Sequence, residues 1–196
     1  MTADAGLRRA LDEPGFRALP EPVTVLLEAV AAPPRLAAHL RAVHDVACDL
    51  VSWIDERYPA AGADAAAVAF GAATHDIGKA LHPAELSGPG AQHEPAGYEL
   101  LLSYGVEERF ARFARTHAAW NEDGIGIDDL LVSLADQVWK GKRVRGLEQL
   151  VVDRLAVASG EAPWQAFLAL DDVLGMITEG ADRRLAYQST HSVASG

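Results

Sequence analysis

The adjacent residues His75 and Asp76 are the sharpest candidates for chemistry in this sequence. An imidazole nitrogen and a carboxylate oxygen are donors that suit a divalent cation of intermediate hardness. Small residues precede the pair from Gly71 to Ala73, so another helix can pack closely against this segment. Because a His-Asp dipeptide is also common by chance, the pair alone favours a structural role over a metal site.

Four further histidines and one aspartate lie within otherwise apolar helical patterns, at His39, His44, His93, His117 and Asp136. A carboxylate on the inner face of a helix is costly unless a cation or hydrogen-bond donors satisfy it. Several imidazoles and two carboxylates on separate helices are what a metal site in a helix bundle requires. Together these residues favour a metal site over a set of unrelated core residues.

Basic residues close to these candidates could bind a phosphate. Lys79 follows His75 by one helical turn and could reach a phosphate oxygen as a point charge, or it could stabilise the C-terminal end of a helix. Lys140, Lys142 and Arg143 form a basic cluster, and we expect either that one of them contacts a substrate phosphate or that they form a solvated turn.

Other polar and aromatic residues near the candidates have simpler interpretations. His82 and Glu85 lie in a Pro/Gly-rich loop over residues 82–92, where they could line the mouth of the site, although exposure to solvent is the expected state. Trp120 and Trp139 flank the last two candidate ligands, and they are expected to pack in the core or form a wall of the site rather than stack on a base. His191 lies near the C-terminus, and we assign it no role.

The pattern along the chain predicts an all-α fold, because apolar residues recur at intervals of three and four and strand signals are scarce. Asp64 is a candidate N-cap, and Pro59 is expected to stop a long helix before it. The predicted helices cover residues 23–31, 36–58, 64–72, 94–104, 107–119, 127–139, 147–159 and 163–187.

The same pattern predicts how the chain is divided. Residues 1–20 are polar and interrupted by Pro14 and Pro20, so we predict a mobile lead with a short helix. Residues 21–146 would form the main helical domain, and residues 147–187 a helical extension of it whose surface could form a homodimer. Residues 188–196 are small and polar, which is typical of a disordered tail.

Composition limits the partners. The chain of 196 residues has a formal net charge of −11, which opposes binding to duplex nucleic acid or to an anionic membrane. A small anionic substrate remains compatible, because a bound metal inverts the local field. No apolar run is long enough to span a bilayer, Cys48 is the single cysteine, and the N-terminus lacks the apolar core of a signal peptide, so we expect a cytoplasmic protein.

The motifs resemble those of the HD-domain superfamily, and specifically of its members that hold two metal ions. The segment from Gly71 to Lys79 is similar to that family's HDIGK motif, and the segment from His93 to Gly97 resembles its His-x-x-x-Gly element. Thr116-His117 and Leu134-Ala135-Asp136 match the last two ligand positions. The resemblance covers about residues 35 to 143 and implies an all-α HD fold that hydrolyses a phosphate ester or anhydride.

The first ligand of the family pattern can be either of two histidines. His39 is followed by Val43 and Ala47, which fit the apolar positions that the family places four and eight residues later. The sequence separation from His75 instead favours His44. We prefer His39, and His44 is then a candidate contact to the substrate or to a ligand.

The resemblance also implies roles for the ligands. His39, His75, Asp76 and Asp136 would bind the first metal, and His93 and His117 the second, with Asp76 bridging the two. The expected cofactor is one or two divalent ions of Mn, Fe, Mg, Co, Ni or Zn, and the pair would activate a water for attack on phosphorus. Asp76 and Lys79 are the candidate catalytic residues.

The resemblance leaves three classes of function open. A phosphohydrolase would act on a small phosphorylated substrate such as a nucleotide, and basic residues near the site favour this class. Di-iron members of the superfamily, such as myo-inositol oxygenase, use the same order of ligands to cleave bonds with O₂. A non-catalytic module that senses metal or binds a partner is the third class, although complete ligands argue against it.

Overall fold

The computed structural model describes residues 5–194, and over this range the chain is helical with no strand. The predicted all-α fold is therefore confirmed. Three short 3-10 turns, Pro59–Ala61, Ile77–Ala80 and Pro83–Leu86, interrupt the connections. The helices are α1 Ala5–Asp12, α2 Glu21–Ala29, α3 Pro34–Arg57, α4 Ala65–Thr74, α5 His93–Ser103, α6 Glu108–Ala111, α7 Phe113–Thr116, α8 Ile127–Val138, α9 Arg145–Ser159, α10 Pro163–Glu179 and α11 Ala181–Ser189.

Helix α3 is the central element of the bundle. It begins with Pro34 at its first position, where the missing N–H costs nothing, and it ends before Pro59. Helices α1, α4, α8 and α11 all pack against it, so most of its length is buried. A residue in the middle of α3 therefore faces other helices on nearly every side.

The apolar core consists of two clusters of buried side chains. One cluster joins the C-terminal part of α3 to α4, α8, α9 and α10, and the other joins its N-terminal part to α1, α2 and α11. Along α3 the membership changes between Leu40 and Ala42, and along α4 it changes between Ala72 and Ala73. His39 and His75 lie beside these two changes, so polar side chains occupy the junction of the clusters.

The described part of the N-terminal segment is fixed to the bundle, which corrects the prediction of a mobile lead. Helix α1 packs on α3 and buries Leu7 and Ala10. The buried guanidinium of Arg41 donates hydrogen bonds to the carbonyls of Ala10, Phe16 and Arg17. This one cation satisfies three backbone acceptors and thereby anchors the segment; residues 1–4 lie outside the described residues.

The C-terminal region also differs from the prediction. The helix predicted over 163–187 is two helices, because the chain bends at Gly180, and Arg184 donates back to the carbonyls of Trp139 and Ile177. The expected disordered tail over 188–196 is ordered in its described part: α11 continues to Ser189, and His191 is buried. Residues 195 and 196 lie outside the described residues.

The helix predicted over 107–119 is also broken, into α6 and α7, with Arg112 between them. Arg112 donates to the buried carboxylate of Asp129, which also accepts from Thr116. Within residues 5–194 no helix is both long and apolar enough to cross a bilayer. The boundary at residue 146 and the cytoplasmic location stay predictions.

Candidate metal centre

Five elements bring the six predicted ligands to one place. These ligands are His39 in α3, His75 and Asp76 at the end of α4, His93 at the start of α5, His117 directly after α7, and Asp136 in α8. Five of them line a cavity of about 430 Å³, and His75 is fully buried beside it.

The pair His75-Asp76 is presented where α4 ends. The Asp64 side chain accepts a hydrogen bond from Ala67 N and caps the start of this helix, as the sequence predicted. After His75 the backbone leaves the helical region at Asp76 and continues as the 3-10 turn Ile77–Ala80. Because the helix stops there, both side chains can turn toward the cavity.

A contact between two glycines brings α5 to this turn. A Cβ at Gly78 would overlap the His93 carbonyl and lie 2.6 Å from Gly97 N, and a Cβ at Gly97 would lie 3.0 Å from Gly78 N. Gly78 therefore has no room for a side chain, and a side chain at Gly97 would require the neighbouring backbone to shift. The close approach places His93, the first residue of α5, next to Asp76.

Asp76 lies at the centre of the cluster, and its two carboxylate oxygens face different histidines. Its Oδ2 lies 3.0 Å from His39 Nε2 and 3.6 Å from His75 Nε2. Its Oδ1 lies 3.0 Å from His93 Nε2 and 3.6 Å from His117 Nε2. The carboxylate thus divides the donors into two groups and belongs to both.

The first group is completed by Asp136. Its Oδ1 lies 3.5 Å from His75 Nε2 and 3.7 Å from His39 Nε2. The donor atoms of His39, His75 and Asp136 all lie within 4.8 Å of one another. Donors held about 2.0–2.2 Å from one ion lie roughly 2.8–3.6 Å apart, so a small movement of these side chains would let them share a divalent cation.

The second group contains a residue that the sequence analysis did not single out. Donor atoms of His93, Glu94 and His117 also lie within 4.8 Å of one another. Glu94 is half-buried and lines the cavity. The only sequence signal for it is its place beside a candidate ligand at the start of a helix, and such a position is usually explained by the helix dipole.

The tautomers of two histidines are fixed by backbone carbonyls. His75 Nδ1 lies 2.9 Å from Ala72 O, and His117 Nδ1 lies 3.2 Å from both Phe113 O and Ala114 O. A carbonyl can only accept, so the neutral imidazoles carry their proton on Nδ1. Their Nε2 lone pairs are then directed at the carboxylates, as in a metal ligand whose other nitrogen is held by a hydrogen bond.

His93 is oriented by a carboxylate from the loop over residues 82–92. Its Nδ1 lies 2.6 Å from Glu85 Oε2, and Glu85 also accepts from the backbone N–H groups of Gln92 and His93. The Glu85 side chain is 10% exposed, so the expectation of a solvated residue is wrong. The sequence carries no signal for this contact, because the loop conformation alone brings Glu85 back to a histidine eight residues later.

The carboxylates of the cluster stay ionised. Burial opposes this, but the imidazole of His75 and its neighbours outweigh burial and hold the pKa of Asp76 and Asp136 well below the usual range. The cluster therefore keeps two negative charges in a buried position. Such charges are stable only beside positive ones, which protons on imidazoles or bound cations supply.

The imidazoles divide into two pairs. Burial lowers the pKa of His117 to about 4 and also lowers the pKa of His39, so both are neutral near pH 7. Burial disfavours charge on His75 and His93 as well, but the facing carboxylates outweigh it and raise the pKa of both. Protons and metal ions therefore compete for the same nitrogens.

Unpaired buried atoms show that a metal fits this donor set. Asp76 Oδ1 and His93 Nε2 are buried and have no hydrogen-bond partner, although only 3.0 Å separates them. Because Glu85 accepts the proton of His93 Nδ1, two lone pairs face each other here in the neutral form. A divalent cation would satisfy both atoms, and imidazole with carboxylate is a donor set that Mn, Fe and Zn accept.

Three lysines place positive charge at the cavity. Lys79 Nζ lies 2.5 Å from Asp76 Oδ2, Lys140 Nζ lies 3.9 Å from Asp136 Oδ2, and Lys142 lines the same cavity. Trp120 and Trp139 also line the cavity, and the indole of Trp139 is edge-on to the His39 ring at 4.9 Å. Their expected place in a wall of the site agrees with this arrangement.

Two predicted contacts are not brought to the cavity. His44 is buried one turn along α3, where its Nε2 lies 3.5 Å from Cys48 Sγ. Arg143 is held by Glu148 and Asp171, each at 2.8 Å. Neither residue lines the cavity, which argues against substrate binding by either of them.

Comparison with known proteins gives one family. The family model described as "HD domain" matches residues 36–139, which is more than half of the chain and includes all six clustered donors. No curated protein and no solved structure gave a match.

Proposed function

Since this chain belongs to the HD-domain family, we propose that it is a metal-dependent phosphohydrolase that cleaves a phosphate ester or anhydride of a small phosphorylated compound, such as a nucleotide. The observation that carries the proposal is the division of the donors by Asp76 into two groups that share its carboxylate. The lysines around this cluster are the second support, since they suit an anionic substrate.

The proposed metal ligands are His39, His75 and Asp136 on one side, His93 and His117 on the other, and Asp76 between them. Divalent ions held there would supply positive charge to the phosphoryl oxygens and lower the pKa of a nearby water. The protein's own part is to keep the carboxylates ionised and the imidazole lone pairs directed inward. Burial, the two backbone-held tautomers and Glu85 accomplish this.

Substrate binding is proposed for the lysines that line the cavity. Lys79 would act as a point charge for a phosphate oxygen close to Asp76, and its short contact with that carboxylate keeps the ammonium at the reacting centre. Lys140, beside Asp136, and Lys142 also line the cavity and would hold further phosphate oxygens. The indoles of Trp120 and Trp139 provide apolar surface for the remainder of the substrate.

A screen of phosphate release and oxygen use tests the proposal. The full chain, loaded with Mn²⁺ or Fe²⁺, is incubated with nucleotides and simple phosphoesters in air and under argon. We expect phosphate release that does not depend on O₂ and is lost after treatment with a chelator. Oxygen uptake without phosphate release would instead identify a di-iron oxygenase, and metal binding with neither reaction would identify a sensing or partner-binding module.

A further inference from the structure

Glu94 is a half-buried carboxylate that lines the cavity beside the second group of donors. Within residues 5–194, no hydrogen bond and no ion pair of its side chain is found. Among its charged neighbours His93 and Lys79 attract the Glu94 carboxylate without an ion pair, and Asp76 and Glu85 repel it. An acidic side chain held near other acids without a cation marks a position of strong cation affinity.

The neighbours of Glu94 are themselves short of a partner. His93 is only 5% exposed, and its Nε2 has no hydrogen bond. His117 Nε2, whose proton is held on the opposite nitrogen, lies within 4.8 Å of the donor atoms of both His93 and Glu94. Three donors from two elements therefore converge on one point of the cavity beside Asp76 Oδ1.

We propose that Glu94 is a metal ligand of the second position, in addition to the six residues of the family pattern. Each position then has two imidazoles, one carboxylate of its own and one oxygen of Asp76. The first position has Asp136 as its own carboxylate, and the second has Glu94. This inference rests on the proposed metal-dependent function and makes the two positions alike in charge.

The likeness has a measurable consequence. With Glu94, both positions hold a divalent cation, so the chain binds two ions of similar affinity. Without it, the second position retains two neutral imidazoles and half of a shared carboxylate, and the loss of a directly bound anion weakens it strongly. Removal of Glu94 should therefore separate the two binding steps.

The test is titration of the metal-free full chain with Mn²⁺, followed by calorimetry and by elemental analysis after dialysis. Glu94→Gln should weaken the second binding step by about tenfold or more and leave the first within about twofold. Glu94→Asp keeps a carboxylate and should lose less. Glu99→Gln, an exposed acid on the same helix, is the matched control and should bind as the wild type does.

A double variant separates direct binding from the general effect of a negative charge. His93→Ala already removes one ligand of the second position, so adding Glu94→Gln should leave the Mn²⁺ affinity of that variant unchanged. Three results would overturn the inference. In Glu94→Gln, the Mn²⁺ affinities of both binding steps could fall equally, or both could stay unchanged. In the double variant, Mn²⁺ affinity could fall further than in His93→Ala alone. Any of those results would leave the proposed metal-dependent function in place. A wild-type chain that binds no Mn²⁺ would instead contradict both that function and the role of Glu94.

Discussion

At the scale of the residue, Asp76 is central to the proposed metal site, because each of its oxygens faces a different pair of imidazoles. His75 and His117, one from each group, also have donor atoms within 4.8 Å of one another and of Asp76, so the carboxylate lies where the two groups meet. The ammonium group of Lys79 and the imidazole of His39 both approach Oδ2 of Asp76. A carboxylate in this position can hold two cations close together, which is the arrangement that two-metal hydrolysis uses.

The positions of the two side chains favour His39 over His44 as the first ligand. His39→Ala should remove at least one metal per chain, because its Nε2 is 3.0 Å from Asp76. His44→Ala should leave the metal content unchanged, because that imidazole contacts Cys48 and not the cavity. Elemental analysis of both variants, each checked for its melting temperature, measures this; the reverse order would place the first ligand at His44.

Glu85 is a positioning residue for His93. Glu85→Gln removes a charged acceptor from the Nδ1 proton, and we expect metal affinity at that position to fall by about 10–100-fold. A merely structural role would instead lower the melting temperature of the metal-free protein and spare the affinity. Glu108→Gln, which removes an acid bonded to Tyr98 at the surface, is the control.

At the scale of the element, the site depends on how closely α5 approaches the turn after α4. Gly78→Ala should lower both stability and metal content, because its methyl group would overlap the backbone of His93 and Gly97. Gly175→Ala in α10 is the matched control, since nothing lies within 4 Å of its Cβ position and Ala favours a helix by roughly 0.5–1 kcal/mol. Thermal melts with elemental analysis would show the contrast; unchanged metal in Gly78→Ala would contradict this account of the contact.

The connection from α6 to α7 shows why a helix break matters here. His117 follows α7 directly, and its Nδ1 bonds to carbonyls of that short helix. Arg112 and Thr116 both bond to Asp129 of α8, which fixes the short helix beside the bundle. A continuous helix over the same residues would present His117 at a different angle.

At the scale of the whole molecule, buried histidines make stability depend on pH. Burial lowers the pKa of His44 to about 4, below its ordinary value of 6.5. The neutral form is favoured on folding, so its contribution is complete above pH 6.5 and is lost as pH falls from 6.5 to about 4. The loss reaches about 3 kcal/mol for one such residue.

We therefore expect His44→Gln to weaken the pH dependence of unfolding over that interval. Chemical denaturation at several pH values, with wild type and variant compared in the presence of a chelator, measures it. Equal slopes for the two proteins would show that His44 is not buried in its neutral form. The expected homodimer of the C-terminal helices stays a prediction that sedimentation can test.

The sequence by itself determined the helical class, most helix bounds to within a few residues, and the residues from which the clustered donors come, but not the breaks within residues 107–119 and 163–187. These depend on local periodicity, on proline and N-cap positions, and on motifs whose spacing follows the helices. The preference for His39 also came from a local pattern, since the apolar positions after it mark the face of α3.

Only the tertiary structure decided which other polar groups share the site. Glu85 and Glu94 reach the cluster, and His44 and Arg143 do not, because contact depends on loop path and helix rotation rather than on spacing along the chain. The fixed N-terminal segment and the ordered residues up to 194 follow from Arg41 and α11 packing on α3. Such long-range contacts leave no periodic signal, since each is made once between residues far apart in sequence.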